Sequence, residues 1–120
     1  MLSDMLMNTD LISDIKKKLD ESQYNVFITL LSAFKSGKWL YPGVIKRKVG
    51  ITTELTYDIL DSMEQKGLLK EYYELYCSKC QRLSGDIYET ISDLPSTFCC
   101  EMCNVEMPAI ENAILVYKVV

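Results

Sequence analysis

Cys77-Ser78-Lys79-Cys80 and Cys100-Glu101-Met102-Cys103 are two C-x2-C pairs with 19 residues between them, and no other feature of the chain limits its fold as tightly. A two-residue gap lets a tight turn aim both thiolates at one ion while backbone N–H groups support the sulfurs. Two such turns supply four soft ligands, the donor set of tetrahedral zinc, at a spacing typical of zinc-binding sequences. The expectation is therefore one structural Zn2+ held by Cys77, Cys80, Cys100 and Cys103 in a ribbon over residues 77–112. Cys99 directly precedes Cys100, so a register slipped by one residue stays open, although Cys100 restores the two-residue gap. Gln81 and Asn104 stand where glycine commonly follows such pairs. Asn accepts the left-handed conformation readily and Gln less so.

All five cysteines fall within residues 77–103. An odd, clustered set is a poor disulfide framework, and thiols free for metal point to a reducing, cytoplasmic setting. The opening Met1–Met7 is apolar but has no cationic flank, so no secretory signal is expected. No stretch approaches the roughly 20 apolar residues that span a bilayer, so no membrane partner is expected. Four cysteines would close a metal shell and leave no open position for water. The chain has no histidine, no phosphate-cradling glycine loop and no nucleophile beside an evident base, so neither an enzyme nor a small-molecule substrate is expected.

Charge is unevenly spread. Residues 1–50 hold eight basic and five acidic groups, residues 51–76 two and six, and residues 77–120 three and six, for a net charge of −4. Phosphate is repelled by most of such a chain, so any nucleic-acid contact must come from the first half.

Periodicity organises that half. Leu11, Ile12, Ile15 and Leu19 share a helical face, and the short helix they mark either packs on its own domain or pairs with a second chain. Asp20 and Gln23 form a capping-box pattern ahead of Tyr24, Phe27, Ile28, Leu31 and Phe34, with Gly37 placed to end that helix. Residues 38–41 read as an extended link and Pro42 opens a short helix that Gly50 ends. Thr52 or Thr53 caps a longer helix with Leu55, Ile59, Leu60 and Met63 as its buried stripe, ended by Gly67. Residues 68–76 favour a strand, in which alternation sets Tyr72 and Tyr76 on one face and Tyr73 on the other. The apolar run 113–120 reads as a strand covered on both faces. Trp39 reads as buried between helices.

Helix, extended link, short helix, longer helix and strand is the order of a winged-helix domain. Residues 20–76 resemble one, particularly Tyr57-Asp-Ile-Leu-Asp-Ser-Met-Glu-Gln-Lys-Gly-Leu-Leu69, which is similar to a recognition helix running into the wing. With the cysteine pairs, the chain resembles winged-helix/zinc-ribbon proteins such as the large subunit of archaeal and eukaryotic transcription factor E. The fold class so implied is α+β, with residues 1–19 as an N-terminal segment and 20–76 plus 113–120 as the winged helix. In this reading the ribbon is inserted at the wing tip; the alternative makes 113–120 the ribbon's own last strand.

The resemblance implies that the third helix would enter a DNA major groove. Its exposed positions include Glu54, Tyr57, Asp58 and Asp61, carboxylates that repel phosphate, with no arginine to grip guanine. That favours a non-catalytic adaptor or regulator docking onto larger proteins of a nucleic-acid-related complex. The alternative is a transcriptional regulator binding duplex DNA, with Lys38, Lys46, Arg47 and Lys48 as the candidate backbone contacts.

Overall fold

Local capping sets most helix boundaries in the computed structural model, which describes residues 2–120. Helices α1 (Leu2–Met7) and α2 (Thr9–Lys18) meet at Asn8, whose side chain accepts from the Leu11 N–H at 3.3 Å. α1 was not expected from the sequence, and α2 begins two residues ahead of the expected helix. Asp20 opens α3 (Glu21–Leu31) with a complete capping box. Its carboxylate accepts from the Gln23 N–H at 2.7 Å, and its own N–H donates to Gln23 Oε1 at 3.1 Å. Both exchanges satisfy amide groups that the helix ladder leaves orphaned.

α3 stops at Leu31, well before Gly37. The N–H groups of Ala33 and Phe34 reach back only three residues, to Leu30 and Leu31, and the Ser32 hydroxyl donates to the Thr29 carbonyl at 2.6 Å. The last turn thereby tightens and ends. Gly37, at φ +86°, instead turns the chain into the two-residue strand β1 (Trp39–Leu40). Pro42 opens α4 (Pro42–Val49), and Gly50 ends it at φ +78°. Thr52, rather than Thr53, caps α5 (Thr53–Gln65), its hydroxyl accepting from the Leu55 N–H at 3.1 Å.

The strands follow as β2 (Leu69–Cys77), β3 (Arg82–Tyr88), β4 (Thr97–Cys99), β5 (Glu106–Pro108) and β6 (Ala113–Val119). One sheet has the order β1-β6-β2-β3, and β4 and β5 form a separate antiparallel pair. The last strand therefore lies hydrogen-bonded beside β2, with the cysteine pairs between the two in sequence. In β6, Val116, Tyr117 and Val119 are buried, while Ala113–Leu115 and Lys118 are only half-buried. This strand is thus less fully covered than its composition implied.

The chain divides into two compact units, Met1–Lys70 with Tyr117–Val120, and Glu71–Val116. These boundaries differ from the expected ones: the N-terminal segment belongs to the helical unit, and most of β2 belongs to the cysteine-bearing unit. The core of the first unit includes Met5, Leu11, Ile15, Phe27, Leu31, Leu40, Ile45, Ile59, Leu60, Met63 and Tyr117. Burying the Leu11 and Ile15 side chains contributes about 1.5–3 kcal/mol each, which fixes α2 on its own unit. Tyr117 carries its polar end to the rim, donating from its hydroxyl to Asp61 at 3.3 Å. The fold is mixed α+β, and no described helix is long and apolar enough to cross a membrane.

Candidate metal centre

Both cysteine pairs sit in the turns of β-hairpins. Cys77 pairs with Arg82 across β2 and β3, leaving residues 78–81 as the first turn. Cys99 pairs with Glu106 across β4 and β5, and the second turn starts at Cys100. The two turns repeat one geometry. The Gln81 N–H donates to the Cys77 carbonyl at 2.8 Å, and the Asn104 N–H donates to the Cys100 carbonyl at 2.8 Å. Gln81 and Asn104 both lie in the left-handed region, at φ +57° and +53°, so the two positions where glycine was missed have the conformation glycine favours.

These turns bring the four sulfurs together. Cys77 Sγ lies 3.5 Å from Cys103 Sγ, and Cys80 Sγ lies 3.5 Å from Cys100 Sγ. All four lie within 4.8 Å of one another. A tetrahedral ion with metal–sulfur bonds near 2.3 Å needs sulfur–sulfur edges of about 3.8 Å, and the cluster brackets that value. The donor set therefore fits a single structural metal ion. Cys99 is exposed and outside the cluster, its Sγ 3.9 Å from the Cys100 carbonyl, so the register with Cys100 is the one realised.

The turns also polarise their thiols. Cys77 is drawn down to about 6, chiefly by the backbone N–H of Cys80, which reaches its sulfur at 3.5 Å. Cys100 is lowered in the same way by the N–H of Cys103 and then that of Met102. The trailing members move oppositely: Cys80 is pushed up to about 12, first by its hydrogen bond with Cys77, and Cys103 is raised, first by its own contact with Cys77. Each turn thus holds the proton less tightly on its leading cysteine and more tightly on its trailing one, and a bound cation would displace both. Phe98, Val105 and Met107 pack around the sulfurs and limit water.

One supporting residue escaped sequence reasoning. Glu74 is only 2% exposed, and its carboxylate accepts from the Gly85 N–H at 3.3 Å. The β2–β3 register shifts between Glu74 and Tyr76, and Gly85, at φ +84°, lies in the extra residues on β3. Glu74 thereby fastens the irregular stretch just behind the first cysteine turn. The only sequence signal was a lone glycine inside a strand-like run, which marks a bulge.

The other candidate residues are dispersed. Glu54 is exposed in the first turn of α5. Tyr57 is half-buried, its hydroxyl pKa raised by that burial, and it lines a small cleft with Pro42, Gly43, Lys46 and Thr56. Asp58 is ion-paired with Lys18 of α2 at 2.8 Å, and Asp61 takes the Tyr117 hydroxyl. Lys46, Arg47 and Lys48 are all exposed but do not converge. Lys46 borders the Tyr57 cleft, Arg47 lies back along α4 towards Gly43, and Lys48 borders Asn25, Val26 and Thr29 of α3. Lys38 lies over the Phe34 ring, 5.2 Å from its centroid. Trp39 is half-buried in β1 beneath Lys118, also at 5.2 Å, and not enclosed between helices as expected. Tyr72, Tyr73 and Tyr76 are all half-buried, so neither face of β2 fully encloses its tyrosines.

Comparison with protein families, curated proteins and solved structures finds no match to this chain.

Proposed function

We propose that the chain is a non-catalytic, zinc-stabilised winged-helix module that works by docking onto a larger protein assembly engaged with nucleic acid. Zinc suits the four-thiolate shell better than harder cations, which prefer oxygen donors. A shell of four cysteines is closed, so the ion serves structure and takes no part in a reaction. The α3–α5 helices followed by neighbouring strands β2 and β6 support the winged-helix reading.

The observation that carries the docking role is the state of α5, the helix that such a fold would offer to a DNA groove. Its outer positions are Glu54, Tyr57, Asp58 and Asp61, and α2 is fastened to it by the Lys18–Asp58 ion pair. A groove lined with phosphate would meet carboxylates there. A protein surface that carries cations and accepts the Tyr57 ring would be matched.

The test is quantitative co-purification of the tagged chain and its Glu54→Lys/Tyr57→Ala variant from cells expressing it, with metal content measured on both. Those substitutions leave the Lys18–Asp58 pair intact. The reading expects one zinc per chain in each protein and selective loss of one set of partners by the variant. Identical partner sets would remove α5 from the proposal, and a chain without zinc would remove the structural ion.

A further inference from the structure

The helical unit leaves an amphipathic trough uncovered. Helix α2 carries Thr9, Ile12, Ser13, Lys16 and Lys17 at the three- and four-residue spacing that sets side chains on one helical face. Leu11 and Ile15, on its far side, are buried in the core. Leu6 of α1 joins the five residues of the free face around a single open cleft of about 440 Å3.

The trough is divided along its length. Where α1 meets α2 lie Leu6, 49% exposed, and the half-buried Ile12. In the last turn of α2 lie Lys16 and Lys17, both exposed. Lys18 beside them is taken up by Asp14 and Asp58, whereas neither Lys16 nor Lys17 forms an ion pair among the described residues. Lys16 lies over the Tyr24 ring instead, 5.2 Å from its centroid, which steadies it at the rim. Thr9 and Ser13 are small and let another backbone approach the floor. From Thr9 to Lys17 the face runs about 12 Å, a little over two helical turns.

Apolar contact at one end and uncompensated cations at the other match a helix that carries both complements. The direction of that helix follows from its own dipole. Carboxylates are favoured in the first turn of a helix and disfavoured in the last, so the occupant runs antiparallel to α2 with its acidic start against Lys16 and Lys17. We propose that this trough receives an amphipathic helix of a partner protein, with Asp or Glu in its first turn and large apolar residues one and two turns later. Those apolar side chains fill the space between Leu6 and Ile12. A nucleic-acid backbone would meet the lysines and leave the apolar half uncovered, and a bilayer gains little from two lysines. None of these residues belongs to α5, so the inference stands or falls separately from the docking role of that helix.

The experiment pans a display library of helices about four turns long, randomised at their outward positions, on the zinc-loaded full chain. The same library is panned on the Leu6→Asp and Ser13→Arg variants, which alter exposed positions and leave the core intact. The native chain should enrich helices with an acidic first turn followed by Leu, Ile, Phe or Met one and two turns on, and neither variant should. The best such helix, labelled and followed by anisotropy, should bind about tenfold more weakly to each variant. Lys16→Glu/Lys17→Glu should abolish that binding and restore it to the same helix with lysines in place of its carboxylates. Glu54→Lys/Tyr57→Ala should leave binding unchanged, and its loss there would place the site on α5 instead. A native pool no richer in the acidic–apolar pattern than the variant pools, equal binding by Leu6→Asp or Ser13→Arg, or no rescue by charge exchange would each overturn the assignment. So would a native chain that dimerises in sedimentation and becomes monomeric with Leu6→Asp, because a second copy would then cover the trough.

Discussion

Lys18 Nζ lies 2.8 Å from Asp58 Oδ2 and 2.8 Å from Asp14 Oδ2, so one ammonium group ties α2 both to its own preceding turn and to the outer side of α5. The apolar residues Leu11 and Ile15 bring α2 onto the unit, and this pair sets where its C-terminal end lies. Lys18 is raised above its ordinary value by the hydrogen bond to Asp14 and then by that to Asp58. A partly exposed pair of this kind contributes about 0.5 kcal/mol. Lys18→Met should cost about that much in denaturant unfolding, and a double-mutant cycle with Asp58→Asn should return most of it as coupling. Because the folded value is the higher one, the contribution is complete below about pH 10 and is lost as pH rises through the folded value. The stability gap between the native chain and Lys18→Met should therefore stay constant from neutral pH to about pH 9 and close only as pH rises through the raised folded value.

Stripping metal from the reduced protein should unfold one unit and spare the other. The buried set around the cysteines is small, consisting of Cys77, Cys100 and Met107 with Phe98 and Val105 beside them. Such a cluster cannot offset the chain entropy of its unit without the ion. Amide exchange after chelation should show protection lost from β3 to β5 and retained in α2, α3 and α5. Cys80→Ser should give the same pattern and retain less than a tenth of the zinc.

The left-handed residues after each pair are unequal. Gln81, at φ +57°, bears a cost that glycine would not, partly offset by the greater freedom of glycine in the unfolded chain. Gln81→Gly should stabilise the metal-loaded protein by about 0.5 kcal/mol, seen as a higher Tm. Asn104→Gly should change it by less, because Asn tolerates this conformation.

Glu74→Ala should destabilise the cysteine-bearing unit by about 1 kcal/mol, the loss of the hydrogen bond that the buried Glu74 carboxylate accepts from the Gly85 N–H. Competition with a chromophoric chelator should show faster loss of zinc, although no ligand has been altered.

How much of this was legible depended on distance along the chain. The cysteine pairs, the Asp20–Gln23 box and the Gly50 cap are signals spanning two to four residues, and each is realised as read. The early end of α3 was misread because Phe34 kept the helical spacing and Gly37 looked like a stop, whereas Ser32 redirected the last turn. β3 was missed because Arg82-Leu-Ser-Gly-Asp-Ile-Tyr88 has no clean alternation and is interrupted by its own bulge. Neither Lys18–Asp58 nor Trp39–Lys118 leaves any trace in local pattern, since the chain must already be folded for them to meet. The acidic reading of α5 was sound as composition, yet two of its carboxylates are occupied by Lys18 and Tyr117.

The second unit interrupts the first, whose final residues Tyr117–Val120 arrive only after Glu71–Val116 has been made. During synthesis the helices therefore emerge with one place in their core open, the place later filled by Tyr117 and Val119. Closing a long flexible loop costs entropy that grows with its length. A metal ion captured by the four cysteines draws residues 77–103 into a compact body and shortens the slack that the last strand must overcome. Metal supply would then govern the timing with which the helical unit matures, as well as the stability of the ribbon. A chain translated without metal would linger with that part of its core exposed.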